Sequence, residues 1–392
     1  MTLYPSAMSR LYTVKGKPKV IEPENLNLDF LSKQGAYIVE IRISQVGKHY
    51  AFPLIVKKTK EGNKNNDKLA EGETVKMVID NITLEDLIEF QQIKFEILRG
   101  YYWPGERDYT IQEEIKKIFE KRKEYKKQKN PLQQLYKLIM NSCYGKTIER
   151  PIEKDFKYFK EGDELDRYWK KNYNKIVEDI RIESPKQIIH AVKTLKPIDQ
   201  HFNFSLLGIQ VLSMSKRIMN EVMCLAFDLG CKIYYQDTDS FMIEKNDLSK
   251  LEVEFNKKYQ RKLIGSDLGQ FHCDFPTIKD HSEMPWSIEA YFLMKKMYIH
   301  KITDSTKDID YVIRGKGLTL NSIKELAKEN FDGDYMALYK AIFDGAVETF
   351  DLTKGQPCFK LQKNMTVSTL NEFKRRIRTN YEEGKVEDYF KY

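Results

Sequence analysis

Two carboxylates one residue apart, Asp237 and Asp239, stand at the centre of Cys231-Lys-Ile-Tyr-Tyr-Gln-Asp-Thr-Asp-Ser-Phe-Met-Ile-Glu244. Side chains two apart on an extended backbone point the same way, so this spacing lets both address one ion. At about 5 Å, two bare carboxylates repel by roughly 3 kcal/mol at an effective dielectric of about 20. A divalent cation removes that cost. The alternative is an Asx turn at a hairpin tip, since Asp is a common turn former. The pair alone leaves both readings open.

Other chemistry-bearing groups recur along the chain. Lys137, Asn141 and Tyr144 fall at i, i+4 and i+7 and so share one helical face. A cation, an amide and a phenol in a row suit a nucleotide's phosphates, sugar and base; a solvated polar stripe has the same spacing. Just upstream, Lys116, Lys117, Lys121, Arg122, Lys123, Lys126, Lys127 and Lys129 are opposed only by Glu120 and Glu124 between residues 116 and 129. Such charge is either a solvated face or, beside Lys137, a funnel for triphosphate or nucleic acid. Lys295-Lys-Met-Tyr298 puts cations next to a ring, as at nucleic-acid backbones. Lys374, Arg375, Arg376 and Arg378 read as a basic helix face, either solvated or lying along duplex phosphates.

These groups need elements to hold them. Apolar and aromatic residues flank Asp237 and Asp239 on both sides, predicting two strands that meet at a turn. Ser205 opens a long amphipathic helix that Gly230 closes, leading into the first of those strands. Asn130-Pro131 divides the helical stretch Ile111–Cys143 in two, with Asn as cap and Pro in the first turn. Gly145 supplies a stop. Ala36–Ile43 and Tyr50–Val56 read as strands, residues 60–72 as a polar loop, Thr74–Ile79 as a strand. A helix starts near Thr83 with Leu84, Leu87 and Ile88 as its stripe, and Lys94–Trp103 is extended. Residues 27–107 thus form a small α+β unit, and residues 146–200, poorly periodic and rich in charges and aromatics, a second inserted module. A helix at Leu248–Lys262, a strand-like Tyr291–Lys301 and a tail from Gly317 with two helical stretches follow.

At 392 residues with 41% hydrophobic and 12% aromatic content, the chain is long enough for two or three domains with a sizeable core. The net charge of +8 is modest, so clustering matters more than the total. Five scattered cysteines without a C-x-x-C pair indicate reduced thiols, and the six histidines lack zinc spacing. No apolar run approaches the ~20 residues of a membrane span, and the first residues lack the pattern of a signal peptide. The expectation is a soluble intracellular protein.

Taken in order, the motifs resemble the family B DNA polymerases. Tyr235-Gln-Asp-Thr-Asp-Ser240 matches that family's Y-x-D-T-D-S, and Lys137-Leu-Ile-Met-Asn-Ser-Cys-Tyr-Gly145 its K-x-x-x-N-S-x-Y-G. Leu3-Tyr-Pro5 matches the end of D-x-x-S-L-Y-P, and Lys296-Met-Tyr298 matches K-x-Y. The spacing is most similar to the protein-primed branch of phages, linear plasmids and related viruses. The resemblance implies an α+β right-hand polymerase: palm at 1–26 and 201–312, fingers helices at 108–145, thumb at 313–392. Inserted modules fall at 27–107 and 146–200, and an antiparallel palm sheet carries the Asp-Thr-Asp hairpin. It further implies template-directed DNA synthesis from dNTPs on a primer–template. Asp239 would be the principal ligand of two Mg²⁺ ions (or Mn²⁺) and Asp237 its acidic neighbour. Lys137 would contact the triphosphate, with Lys126 and Arg122 as further candidates. Tyr4 would lie under the deoxyribose, leaving no room for a 2′-hydroxyl. Asn141 and Tyr144 would line the nascent base pair. Lys296, Tyr298, Tyr235 and Ser240 would hold the primer strand, and a terminal priming protein is an implied partner.

One departure stands out. The family keeps an aspartate three residues before the Ser of S-L-Y-P; here Thr2 takes that Ser position, so the aspartate would precede Met1. The region that holds the family's proofreading exonuclease is also not in this sequence. The expectation is a truncated or split polymerase, partnered by an upstream fragment carrying the missing groups, with little synthesis by itself. The competing expectation is a non-catalytic DNA-binding subunit that retains the fold. Asp29 and Asp80 read as loop or turn residues of the first module rather than replacement ligands.

Overall fold

A computed structural model describes residues 2–52, 54–59, 62–65, 69, 72–149, 154–184, 187–196, 203–279, 283–352, 358–361, 367–370, 374–380 and 385–390. The chain divides into two compact units, residues 1–228 with 267–269, and residues 229–266 with 270–392.

The first unit is built on an antiparallel four-stranded sheet, in the order Lys19–Val20, Lys94–Trp103, Ala36–Gln45, Val75–Asp80. Ala36–Gln45 alternates as a half-buried strand should: Val39, Ile41 and Ile43 are fully buried. On the opposite parity, Glu40 pairs with Arg99 at 2.6 Å and Arg42 with Glu96 at 2.8 Å across the strands. The helix Asn81–Gln91 covers the apolar face with Leu84 and Leu87. It begins two residues earlier than Thr83 because Asp80 caps it, accepting from the Thr83 amide at 3.2 Å. Tyr50–Val56 is not the strand that its composition predicts. Tyr50 and Phe52 instead stack on each other, and Tyr50 packs edge-on to Phe227. A strand forms only at Val56–Thr59, paired with Gly62–Asn65 inside the stretch expected to be loop.

The long helix is Ser205–Asp228, and Gly230 beyond it has φ +72°, the left-handed conformation that glycine adopts freely. Leu207, Val211, Ile218, Val222 and Ala226 are buried along it, so it is a core helix rather than a surface one. It packs against Leu3–Met8, whose Ala7 and Met8 are fully buried, and against Asn81–Gln91. Arg217 fixes the second contact: its guanidinium donates to Asp86 at 2.5 Å, Glu85 at 2.9 Å and the Ile82 carbonyl at 2.6 Å. Residues 154–195 form a separate three-stranded antiparallel sheet with the helix Asp163–Asn172. There His190 faces Asp179 at 3.0 Å, and Asp179 also accepts from the Trp169 indole at 3.1 Å.

The second unit contains the hairpin Ile233–Asp237 and Ser240–Ile243, the helix Leu248–Tyr259, and a three-stranded antiparallel sheet of Trp286–Met294, Met297–Thr303 and Ile309–Gly315. The segment Tyr291–Lys301 is thus two strands and not one, folded at Lys295-Lys296. Two helices, Leu320–Asn330 and Tyr335–Phe343, pack on this sheet around Tyr339, Ile342 and Phe350. Lys374–Asn380 is a strand, which corrects the helical reading of the basic tail. Its side chains alternate, with Arg375, Ile377 and Thr379 buried. Arg375 is spent on structure, donating to the Lys316 carbonyl at 2.6 Å.

Burial also governs a titratable group here. His300 is 2% exposed, its Nδ1 3.0 Å from the Ser287 hydroxyl, with rings of Phe275, Phe292 and Tyr298 around it. Desolvation lowers its pKa to about 4. The folded state therefore stays neutral while the unfolded chain takes up a proton below its ordinary pKa of about 6.5. Stability is lost as pH falls from there toward 4, by about 2 kcal/mol between pH 7 and pH 5. Urea unfolding at those two pH values should show this loss, and His300→Gln should shrink it; an unchanged pH dependence in the variant contradicts the assignment.

Candidate active site

In the second unit, the carboxylates sit where the strands meet. Asp237 ends the first strand and pairs with Ser240, which leaves Thr238 and Asp239 as the turn itself. Thr238 has φ +40°, a conformation that a β-branched residue adopts only under strain. The extended-strand argument for a common direction of Asp237 and Asp239 therefore fails, because a turn separates them. Both carboxylates are half-buried rather than buried. The hairpin is a two-stranded ladder of its own among the described residues.

The two aspartates differ in their surroundings. Asp237 Oδ2 lies 2.5 Å from Lys296 Nζ, and its Oδ1 accepts from the Thr238 hydroxyl at 3.2 Å. Its carbonyl accepts from the Ser240 hydroxyl at 3.2 Å. Asp239 makes no hydrogen bond or ion pair among the described residues. Lys296 occupies the turn between Trp286–Met294 and Met297–Thr303 at φ +62°. Its backbone amide donates to the Tyr235 hydroxyl at 2.8 Å. The Tyr235 ring stacks on Phe292 at 5.4 Å and meets Tyr298 at 5.1 Å. The hydrogen bond to Asp237 holds the Lys296 ammonium above its ordinary pKa. Six residues picked out from sequence, Asp237, Asp239, Ser240, Tyr235, Lys296 and Tyr298, thus converge through two hairpin turns.

The remaining ones lie in the first unit, on three helices. Thr110–Lys127 and Leu132–Thr147 form an antiparallel pair joined by Tyr125 against Tyr136 at 5.4 Å. The Asn130 side chain accepts from the Leu132 amide at 3.0 Å at the split, where Pro131 rather than Asn130 takes the N-cap position. The second helix runs through Gly145 to Thr147, so that glycine is not a stop. Lys137, Asn141 and Tyr144 lie on one face of it, and Lys137 and Asn141 are exposed. Tyr144 stacks on Tyr4 of Leu3–Met8, with centroids 4.4 Å apart and planes 18° apart. Neither Lys126 nor Lys137 makes an ion pair among the described residues, whereas Lys123 is taken by Asp267 at 2.8 Å. Arg122 is half-buried, its Nε buried with no hydrogen-bond partner among the described residues, and desolvation lowers its pKa.

Carboxylate oxygens are hard donors suited to Mg²⁺, and Asp239 is available in that role. Among the described residues, no three or more acidic, histidine or cysteine side chains gather into a group that could hold an ion. Asp80 and Asp29 do not make up the number. Asp80 is buried, its Oδ1 taken up by the Thr83 amide as a helix cap and by the Ser213 hydroxyl at 2.8 Å and its Oδ2 without a hydrogen-bond partner among the described residues; Asp29 pairs with Lys33 at 3.1 Å on the surface. Sequence reading did not find the Lys296–Asp237 pair, 59 residues apart in the chain, or the Tyr4–Tyr144 stack.

The family model for DNA polymerase type B, organellar and viral, matches residues 1–196, half of the 392. The chain belongs to the type B DNA polymerases. Its fold is similar to that of part of phi29 DNA polymerase. The binary complex of that enzyme with primer–template DNA superposes with a TM-score of 0.57 at 19% identity, covering 95% of this chain and 56% of that one. Its ternary complex with primer–template DNA and incoming nucleotide gives 0.54 at 18% identity, again over 95% and 56%. This type B polymerase chain therefore spans little more than half the length of the solved polymerase. Uncharacterized protein 075R of Invertebrate iridescent virus 3 is 28% identical over 148 residues, 36% of this chain and 83% of that protein. Among the described residues, no helix is long and apolar enough to cross a membrane. Cys143, Cys224, Cys231 and Cys273 are free thiols.

Proposed function

We propose that this chain carries out template-directed nucleotidyl transfer, adding dNTPs to a primer 3′-hydroxyl during replication of a viral, phage or linear-plasmid genome. Primed by a terminal protein, it would work through palm, fingers and thumb regions as laid out from the sequence. The observation that carries the proposal is Asp239, a carboxylate without an ion pair among the described residues, at a strained hairpin turn next to the Asp237 that pairs with Lys296, in a type B polymerase chain. Asp239 would hold the Mg²⁺ or Mn²⁺, which when bound activates the 3′-hydroxyl and neutralises the leaving pyrophosphate. Lys137 offers the triphosphate a cation without an ion pair among the described residues, with Lys126 and Arg122 on the adjacent helix as further donors. Asn141 and Tyr144 line the base-pair side of the same helix. Lys296 and Tyr298 hold the primer end.

Tyr4 stands on Tyr144 as a flat wall, and a wall of that kind excludes the extra oxygen of a ribose. Tyr4→Val should raise the efficiency of rNTP relative to dNTP incorporation by about 10-fold or more, from the 1–3 kcal/mol that pocket shape commonly commands. Unchanged sugar selection would remove Tyr4 from that role.

Metal affinity grows with the number of charged ligands, and here one of the two hairpin carboxylates already faces an ammonium. Synthesis by residues 1–392 should thus be slow and require millimolar metal, and an added fragment bearing a further carboxylate should raise it. Extension of a primed single-stranded template, titrated with Mg²⁺ and Mn²⁺, tests this. Rapid synthesis at micromolar Mg²⁺ would contradict it. The Lys296–Asp237 pairing also supports a second reading, a DNA-binding subunit without chemistry; tight primer–template binding with no extension at any metal concentration would establish that one.

A further inference from the structure

We infer that Asp237 is a positioning residue for Lys296 and acts on the primer terminus through that lysine, leaving Asp239 as the hairpin's metal-facing carboxylate. The inference rests on the proposed polymerase reading and assigns different tasks to two residues that the motif presents as a pair.

Three observations support the division. The Asp237 carboxylate contacts the Lys296 ammonium at 2.5 Å, so a metal at Asp237 would have to displace a cation already seated there. The lysine is held at its other end as well, since its backbone amide is fixed by the Tyr235 hydroxyl at 2.8 Å. Tyr235 itself belongs to the Asp237 strand and packs against both Phe292 and Tyr298. Asp239, two residues on, has none of these partners among the described residues.

The chemistry of lysine explains what the contact does. A free lysine has four rotatable bonds and loses that freedom when it binds. An ammonium has three donors; Asp237 engages one and aims the remaining two. The side chain is still 57% exposed, so those donors are open to a backbone phosphate or sugar oxygen. The lysine is thus arranged before the primer arrives.

The sign of one effect separates positioning from simple electrostatics. Asp237→Asn deletes a negative charge beside a DNA-binding lysine, so electrostatics alone predicts tighter DNA binding. Positioning predicts weaker binding despite the gained charge. The experiment measures primer–template affinity by fluorescence anisotropy in EDTA, where no metal contributes, and Mn²⁺ binding by electron paramagnetic resonance, for the full chain. The proteins are wild type, Asp237→Asn, Asp237→Glu, Lys296→Met, the double variant Asp237→Asn/Lys296→Met, and Asp239→Asn.

Asp237→Asn and Lys296→Met should each weaken primer–template binding about 10-fold, and the double variant no further, as expected when both remove one interaction. Asp237→Glu should recover part of the loss. Mn²⁺ binding should survive in Asp237→Asn and fall in Asp239→Asn, which also deletes a negative charge and should bind DNA in EDTA at least as tightly as wild type. The inference is overturned if Asp237→Asn binds primer–template as tightly as wild type or more so, or if it loses Mn²⁺ as Asp239→Asn does. It is also overturned if the two single losses add in the double variant. Failure of wild type to bind primer–template at all would instead count against the polymerase reading itself.

Discussion

Asp239→Asn is expected to lower the rate of nucleotide addition by residues 1–392 about 10³-fold, without weakening primer–template binding. The amide keeps the shape of the carboxylate and loses its charge, so the hairpin should stay intact while the ion it would hold loses its principal anchor. Each 1.36 kcal/mol in the barrier is a factor of ten, so the expected loss corresponds to about 4 kcal/mol, a scale reached when a charged group that stabilises a transition state is deleted. Single-turnover incorporation in Mn²⁺ measures it. A variant with a tenth or more of the wild-type rate would show that the Asp239 carboxylate is not where the ion is held.

The second large effect is on stability and concerns a different part of the chain. Arg217 holds the long helix Ser205–Asp228 to Asn81–Gln91 through Asp86, whose side chain is 6% exposed. Arg217→Ala leaves that carboxylate buried without its counter-charge, and breaking a buried ion pair on one side costs about 3–5 kcal/mol. Arg217→Lys restores the charge and not the fork of donors that reaches Glu85 and the Ile82 carbonyl, so it should cost less. Urea unfolding followed by circular dichroism separates the three proteins. A loss below about 1 kcal/mol for the alanine variant would mean that Asp86 finds water or simply protonates.

Much of the fold was legible because local rules and tertiary packing agree there. The Asn130-Pro131 split, the Gly230 end of the long helix and the extended Lys94–Trp103 all formed where capping, φ preference and strand composition place them. Reading failed where a local signal was overruled. Tyr50–Val56 has strand composition, but its rings bury better as a cluster than on a sheet. Gly145 can end a helix and does not, since nothing beyond it forces a left-handed turn. Lys374–Arg378 looked helical by charge; the alternate burial of Arg375, Ile377 and Thr379 is a period of two, hidden because one of the inward residues is an arginine.

The same distinction holds at the candidate site. Residue types and spacing along the chain singled out Asp237, Asp239, Lys296 and Tyr298, and the structure brings them together at two turns. What spacing could not convey is that one aspartate is already partnered. That fact depends on a contact between residues 59 apart in sequence, and on a turn at Lys295-Lys296 that cuts an apparently continuous strand.

The central claim is templated chemistry at Asp239. Its most direct test is single-nucleotide incorporation by residues 1–392 opposite each of the four template bases, with each dNTP offered separately at saturating Mn²⁺. The account predicts that only the complementary dNTP is added, slowly, and that Asp239→Asn lowers the rate of that addition about 10³-fold. Incorporation that ignores the template base, or that proceeds in Asp239→Asn at a tenth or more of the wild-type rate, would contradict it.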